Sequence, residues 1–304
     1  MTTTKSILAV GSIALDSLET IEGNRTKILG GSATYFGLAA NLFSPVCLVG
    51  VVGNDFPQEC WDLFSKKKID INNVQVKSGK TFRWGGRYNR DYSSRQTLFT
   101  DLGVFENFQP IILDNYKNTE YLFLGNIQPD LQLSVAVQMN ESKTVVCDTM
   151  NLWIDLCPKK LWDVVKSVDM FLLNDEEAIQ LTNKTDIYDA ANLLLRSGPS
   201  VVVIKRGGNG ALLAYDNVRI QIPIFPIDKL IDTTGAGDSF AGGFIGHLVN
   251  NGKGDLVEAV ITGSAVASFT VSGFGVDGLL EANMGSIQAR KDVIRTLMEK
   301  LKTI

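Results

Sequence analysis

The sequence has a single histidine, His247, and only four cysteines, Cys47, Cys60, Cys147 and Cys157, with no close paired spacing. A zinc site or a His-based triad has little to be built from, and the thiols read as buried, reduced side chains of a cytoplasmic protein. No apolar run reaches the ~18 residues needed to cross a bilayer. An excess of one charge is missing too: 29 basic against 33 acidic residues give a net charge of −4. That balance offers no field to nucleic acid or an anionic membrane, so any phosphate site must be local. Repeats, charge blocks and low-complexity tracts are absent, as is the GxxxxGK[ST] pattern, which excludes ordinary P-loop chemistry.

What is present is a chain of 304 residues, 45% hydrophobic and 20% charged, enough for one large α/β domain over 1–304 with an appendage. Lys5 followed by the apolar run from Ile7 to Leu15 could mimic a signal peptide, but Asp16 follows at once, so a first buried strand is the better reading. Buried-type strands are expected at Ser6–Ala14, Val46–Val52, Glu120–Leu124, Thr144–Cys147, Met170–Leu173 and Val201–Ile204. Between and after them, helical periodicity covers Ala33–Phe43, Gln58–Lys67, Leu131–Asn140, Lys159–Lys166, Asp175–Leu181, Ile187–Arg196, 236–250, Leu256–Thr270 and Ile287–Leu301. The alternation predicts a doubly wound, mostly parallel sheet with helices on both faces, its ligands beyond the carboxyl ends of the strands. Two polar, turn-rich segments break the rhythm, about 17–29 and 74–100. Within the second, Thr81–Tyr88 and Arg95–Thr100 read as strands around a turn at Asn89–Ser94, so the two segments predict a small β-sheet lid.

The most informative stretch is Asp232-Thr233-Thr234-Gly235-Ala236-Gly237-Asp238-Ser239, which runs into an apolar helical pattern at Phe240, Ala241, Phe244, Ile245, Leu248 and Val249. A helix opening near Gly235, with Thr233 or Thr234 available as cap, would present free N–H groups and the positive end of its dipole to an anion. Glycines let a phosphate approach the backbone closely. A carboxylate there repels that ligand, so Asp238 needs a reason. Either it merely offsets the dipole, or it is a base that takes a proton from an attacking hydroxyl while the N–H groups hold a transferring phosphoryl group. Two glycines and the carboxylate within three residues favour the base.

Other candidates fall at expected strand ends. Asp16 follows the first strand, and Asp148, with Asn151 close behind, ends another; both could accept hydrogen bonds from ligand hydroxyls. Gly30-Gly31 opens a helix where a hinge or a close approach to substrate would fit. Asn174-Asp175-Glu176-Glu177 offers oxygen ligands suited to Mg2+, although acidic residues also favour first turns of helices. Lys205-Arg206-Gly207-Gly208-Asn209-Gly210 suggests a phosphate contact, or a glycine turn between strands. Gly273-Phe274-Gly275-Val276-Asp277-Gly278 matches G-x-G-x-x-G, yet that motif must open a βαβ unit after a strand and the 26 residues that follow read mostly as one helix, so the dinucleotide reading is set aside. His247 reads as a structural helix residue.

The stretch from Asp232 to Phe240 closely resembles the C-terminal signature of the ribokinase/PfkB family of small-molecule kinases, and Gly30-Gly31 and the Asn174…Glu177 pair resemble that family's hinge and its Mg2+/phosphate motif. The resemblance spans essentially the whole chain. It implies a ribokinase-like fold and ATP-dependent phosphorylation of a primary alcohol on a sugar or nucleoside. By position it implies that Asp238 is the base and that Gly235, Ala236 and Gly237 form the anion hole. Asn174 and Glu177 would organise Mg2+ and phosphates; Lys205, Gly207 and Gly210 would contact ATP, with Gly273 in the segment Ala265–Gly275 that resembles the adenine wall. Asp16, Gly30 and Gly31 would hold the acceptor, and Asp232 and Thr234 match positions that bind a monovalent cation such as K+ in some members.

This chain departs from the resemblance on the acceptor side. Ala14 stands where ribokinase-like members carry an asparagine, and Ser32 and Tyr35 replace a lysine and an asparagine. Each lost polar contact would remove up to ~1–3 kcal/mol of discrimination for ribose, so ribose itself is disfavoured. Tyr35, with Phe82, Trp84 and Tyr88 of the lid, would stack on a flat or apolar ligand face. The expectation is a cytoplasmic sugar kinase, with a nucleoside kinase as the alternative, a non-catalytic ligand-binding protein as the rival class, a dehydrogenase a distant third, and pairing of lid strands in a homodimer possible in principle.

Overall fold

The protein, described here as a computed structural model, is defined over residues 7–302 apart from 91, 93, 141 and 142. Ser6, the expected start of the first strand, and Asp91 and Ser93 of the expected turn lie outside the described residues. From the N-terminus the elements run β1 (Ile7–Val10), β2 (Ala14–Thr20), β3 (Gly23–Gly30), α1 (Ser32–Ala40), β4 (Val46–Gly53), α2 (Gln58–Lys66), β5 (Asp70–Lys77), β6 (Phe82–Tyr88) and β7 (Arg95–Asp101). Next come β8 (Tyr121–Leu124), α3 (Pro129–Gln138), β9 (Thr144–Asp148), α4 (Asn151–Leu156), α5 (Pro158–Ser167), β10 (Met170–Asn174), α6 (Asp175–Thr182), α7 (Ile187–Ser197) and β11 (Val201–Lys205). The chain ends with β12 (Ala211–Tyr215), β13 (Val218–Ile222), α8 (Ala236–Asn251), α9 (Leu256–Thr270), α10 (Asp277–Leu280) and α11 (Met284–Lys302).

Uninterrupted aliphatic runs make strands that bury both faces, and these form the middle of a nine-stranded sheet in the order β13-β12-β11-β10-β9-β8-β1-β4-β5. All neighbours are parallel except at β12 and β13. Alternate side chains feed two cores. Ile7 and Ala9 join the layer under α1, α8 and α9, while Leu8 and Val10 join the layer under α3, α5 and α7. Helix α8 is apolar all round because it lies inside the first layer: Phe244, Ile245 and Leu248 are fully buried. The strand order reverses at β1, which lies between β4 and β8, and the polar residues that end β9, β10 and β11 lie at the carboxyl ends of three adjacent parallel strands.

A separate four-stranded sheet has the order β3-β2-β6-β7, with β2 and β6 parallel and the outer pairs antiparallel. Its limits differ from the sequence reading in two places. The first expected strand, Ser6–Ala14, breaks after Val10. Ser12 and Ser32 exchange N–H to hydroxyl bonds of 3.0 Å each, which turns the chain out of the main sheet, so Ala14 already begins the small one. Residues 74–77, expected in the lid, belong instead to β5, which pairs with β4 at the edge of the main sheet. On this edge strand polarity does not follow burial: Asn73 is 4% exposed and Val76 61%. The hairpin β12–β13, five residues in each strand, was not anticipated by the sequence reading. Asp16 accordingly stands within β2 rather than beyond β1.

The small sheet is pinned to the large one at Asp55. Its carboxylate accepts the Thr81 N–H at 2.7 Å, the Thr81 hydroxyl at 2.8 Å and the Arg83 guanidinium at 2.7 Å. Burial works against the charge, but these donors win and hold Asp55 below the usual carboxylate range. A lowered carboxyl contributes stability above pH ~4 and loses it as pH falls further. Asp55→Asn is expected to lower stability at pH 7 by about 1 kcal/mol, the low end for a solvent-screened charged cluster, and the difference from wild type should shrink below pH 4 when unfolding is followed by denaturant titration.

Candidate active site

The first turn of α8 is shaped by Gly235, which adopts φ 74° as the N-cap residue. A side chain there would be strained, and it would also collide with the Tyr35 ring directly beneath. Neither Thr233 nor Thr234 caps the helix by its side chain, contrary to the sequence reading; the Thr234 hydroxyl instead meets the Tyr88 hydroxyl at 2.7 Å. Ala236 N–H reaches the Thr233 carbonyl at 3.3 Å and Ser239 N–H the Gly235 carbonyl at 2.9 Å. The N–H groups of Gly235 and Gly237 have no backbone acceptor among the described residues, which leaves them for an anion.

Asp238 stands on this turn, half-buried. Burial, with Asp148 adding to it, pushes its carboxyl up to about 7 against the pull of Lys205. Lys205 ends β11 and binds Asp148, at the end of β9, at 2.6 Å. Burial alone would neutralise the ammonium, but Asp148 and Glu177 hold its pKa above the usual value. The Lys205 Nζ lies 3.0 Å from where a side chain on Gly237 would begin, so a positive charge faces the anion site at close range.

Asn174 and Glu177 meet as a reciprocal capping box on α6: Glu177 N–H donates to Asn174 Oδ1 and Asn174 N–H to Glu177 Oε2, each at 2.7 Å. Burial pushes Glu177 up to about 7 despite Lys205. No group of three acidic, His or Cys side chains able to hold a metal forms among the described residues. Of these residues, Glu177 is the one that would hold a magnesium ion through water, since Mg2+ retains its waters. Gly207 and Gly210 have φ 51° and 84° in the turn joining β11 to β12. Arg206, the second cation of that run, turns to Gln221 on β13 at 3.2 Å.

The small sheet carries Asp16 on β2 and Trp84 and Tyr88 on β6. Asp16 and Trp84 are register partners on β2 and β6, so their side chains share a face. Gly30 must lack a side chain, because a Cβ would collide with the Asp16 carboxylate. Burial, then the neighbouring Asp232, pushes Asp16 up to about 7, while the Gly31 N–H pulls it down. Tyr35 is 1% exposed and its hydroxyl has no hydrogen-bond partner among the described residues; burial, then the charges of Asp16 and Asp232, hold its proton more tightly than usual. Ser32 is committed to Ser12 rather than open to a ligand. Arg95, which the sequence marked only as the start of a strand, lays its guanidinium 4.8 Å above the Trp84 ring.

Asp232 is 1% exposed and each oxygen accepts one N–H at 2.9 Å, from Thr234 and from Gly275, so it ties two loops together whether or not a monovalent ion shares its remaining lone pairs. Gly273 lies in the turn after α9, and the G-x-G-x-x-G run therefore follows a helix, as its rejection as a dinucleotide motif required. Asn151 is bound to Gln180 at 2.7 Å. His247 bonds Asp255 at 2.8 Å in a structural role.

The pattern described as pfkB family carbohydrate kinase matches residues 5–283. A cytidine kinase of Thermococcus kodakarensis is 31% identical over 246 residues, covering 79% of this chain and 87% of that kinase. Among solved structures, the nucleoside kinase of Burkholderia thailandensis in complex with inosine superposes with TM-score 0.78 at 20% identity, covering 95% of this chain and 98% of the other. A putative ribokinase II from E. coli, in complex with ATP and Mg2+, gives TM-score 0.82 at 16% identity over 95% and 99% of the two chains. These two structures share the fold.

A carboxyl raised from 3.8 to about 7 destabilises the folded state once ionised: the effect is absent below pH ~4, grows between 4 and 7 and is complete above. Asp238→Asn should therefore raise the melting temperature at pH 8 by a few degrees, at about 2–4 °C per kcal/mol for a chain approaching this size, and leave it near wild type at pH 4 by calorimetry.

Proposed function

Because the chain belongs to the pfkB family of carbohydrate kinases and is a phosphotransferase with a hydroxyl acceptor, we propose that it transfers the terminal phosphoryl group of ATP to a primary hydroxyl of a nucleoside. The sequence favoured a free sugar. The observation that carries the nucleoside reading is the Trp84–Arg95 stack on the same face of the small sheet as Asp16. Ribose hydroxyls accepted by Asp16 and donated to by the Tyr35 phenol would place an attached base against that stack, where an aromatic plane and a guanidinium offer packing and hydrogen-bond donors. A free sugar would leave both without a ligand contact. The kinship with a cytidine kinase supports the same acceptor class.

In this reading the small sheet is a lid over the acceptor. The ATP phosphates lie between Lys205 and the first turn of α8, with Gly207 and Gly210 allowing close approach and Asn174–Glu177 fixing the strand end beside them. Magnesium, when bound, neutralises charge on the phosphate oxygens. Asp238 takes the proton of the acceptor hydroxyl as its oxygen bonds to the γ-phosphorus; the bond from that phosphorus to the β–γ bridging oxygen breaks, and ADP leaves. The N–H groups of Gly235 and Gly237 and the Lys205 ammonium hold the charge of the transferring group. Exclusion of water by the lid limits hydrolysis.

Phosphorylation of cytidine, uridine, adenosine, inosine, ribose and hexoses from labelled ATP should give at least one nucleoside a kcat/KM about tenfold or more above any free sugar; a sugar in first place overturns the acceptor. With that nucleoside, Trp84→Ala should raise KM roughly tenfold with a smaller change in kcat, the scale of one base–aromatic stack. A base at about 7 must be ionised to act, so kcat/KM should rise about tenfold per pH unit up to 7 and level off above.

A further inference from the structure

The small sheet does more than cover the acceptor. From its far end, two phenols reach across to the run that leads into α8. Tyr88, the last residue of β6, meets the Thr234 hydroxyl at 2.7 Å, and Tyr92 donates to the Ile231 carbonyl at 2.7 Å. The two rings lie 5.7 Å apart and buttress one another. Tyr88 is 7% exposed, so its hydroxyl is shielded from water and finds its partner in Thr234.

Thr234 directly precedes the left-handed Gly235, and its own N–H is tied to Asp232 at 2.9 Å. It is therefore held from two sides, by Asp232 from the body and by Tyr88 from the small sheet. The direction of the Gly235 and Gly237 N–H groups depends on where Thr234 sits, because one peptide unit connects it to Gly235.

We propose that Tyr88 is a positioning residue for phosphoryl transfer: its hydroxyl, brought in by the small sheet, locks Thr234 and so completes the anion site only when that sheet stands over the acceptor pocket. This rests on the reading of Gly235–Gly237 as the phosphoryl-holding turn. It couples occupation of the acceptor side to assembly of the transfer side, so that ATP bound alone meets an incompletely ordered anion site.

The test is a double-mutant cycle with Tyr88→Phe and Thr234→Val, alongside Arg87→Gln as a control that breaks only the surface pair with Glu19 at 2.6 Å. Loss of one hydrogen bond that acts in the transition state should lower kcat about five- to tenfold in each single variant, with acceptor KM within about twofold of wild type. The double variant should be no slower than the slower single one, because both remove the same contact. Multiplying effects, or Tyr88→Phe acting on acceptor KM with kcat intact, overturn the proposal. Hydrogen exchange of the Gly235–Ser239 amides gives a readout that needs no turnover. Exchange should be several-fold faster in Tyr88→Phe than in wild type or Arg87→Gln, and unchanged exchange overturns the proposal even if wild type phosphorylates nothing, an outcome that would by itself remove only the kinase reading of the turn.

Discussion

The structure depends on keeping a carboxylate close to a place built for anions. Asp238 sits on the turn whose N–H groups and helix dipole favour negative charge, and burial together with Asp148 raises its proton affinity to about 7. What makes this tenable is Lys205, held charged by Asp148 and Glu177 at the neighbouring strand ends. The four groups come from β9, β11, α6 and α8, and the parallel register of β9, β10 and β11 brings three of those elements to the same edge. An isolated phosphate would be repelled by Asp238 and attracted by Lys205 and the amides. A hydroxyl placed between carboxylate and phosphate relieves the conflict by giving up its proton.

The acceptor side follows a different logic. Asp16, Tyr35 and Asp232 bring three oxygen-bearing groups into a nearly dry space, where burial is the main reason that their protons are held more tightly than usual. In the proposed reading these groups would meet the hydroxyls of the acceptor in that space. Its roof is a separate sheet held at one end by Asp55 and touching the body at the other through Tyr88 and Tyr92.

The features most legible in the sequence were those set by local pattern. The aliphatic runs of β4, β8, β9, β10 and β11 and the periodicity of α9 predicted their elements closely, because burial on both faces leaves no polar residue to confuse the reading. The helix start at Gly235 was legible since a glycine, alanine, glycine and aspartate run leads straight into an apolar helical pattern. Less was legible where tertiary contacts decide. The break after Val10 depends on Ser12 meeting Ser32 across the first turn of α1, and β5 has the mixed pattern of an edge. Arg95 gave no signal because its importance comes from lying over Trp84 on the next strand, and Ser32 gave a misleading one because its hydroxyl serves the backbone. Thr234 read as a cap but bonds a phenol 146 residues earlier in the chain, a contact no spacing rule contains.

The central claim is that one carboxylate, one ammonium and two backbone amides converge on a phosphoryl group in flight. A crystal structure of the protein with ADP, magnesium, aluminium fluoride and its best acceptor tests this most directly, since the fluoride stands in for that group. The account predicts the fluoride hydrogen-bonded to the Gly235 and Gly237 N–H groups beside Lys205, with the acceptor's primary hydroxyl within about 3 Å of the Asp238 carboxylate. A fluoride bound away from the first turn of α8, or an acceptor hydroxyl beyond the reach of Asp238, would contradict it.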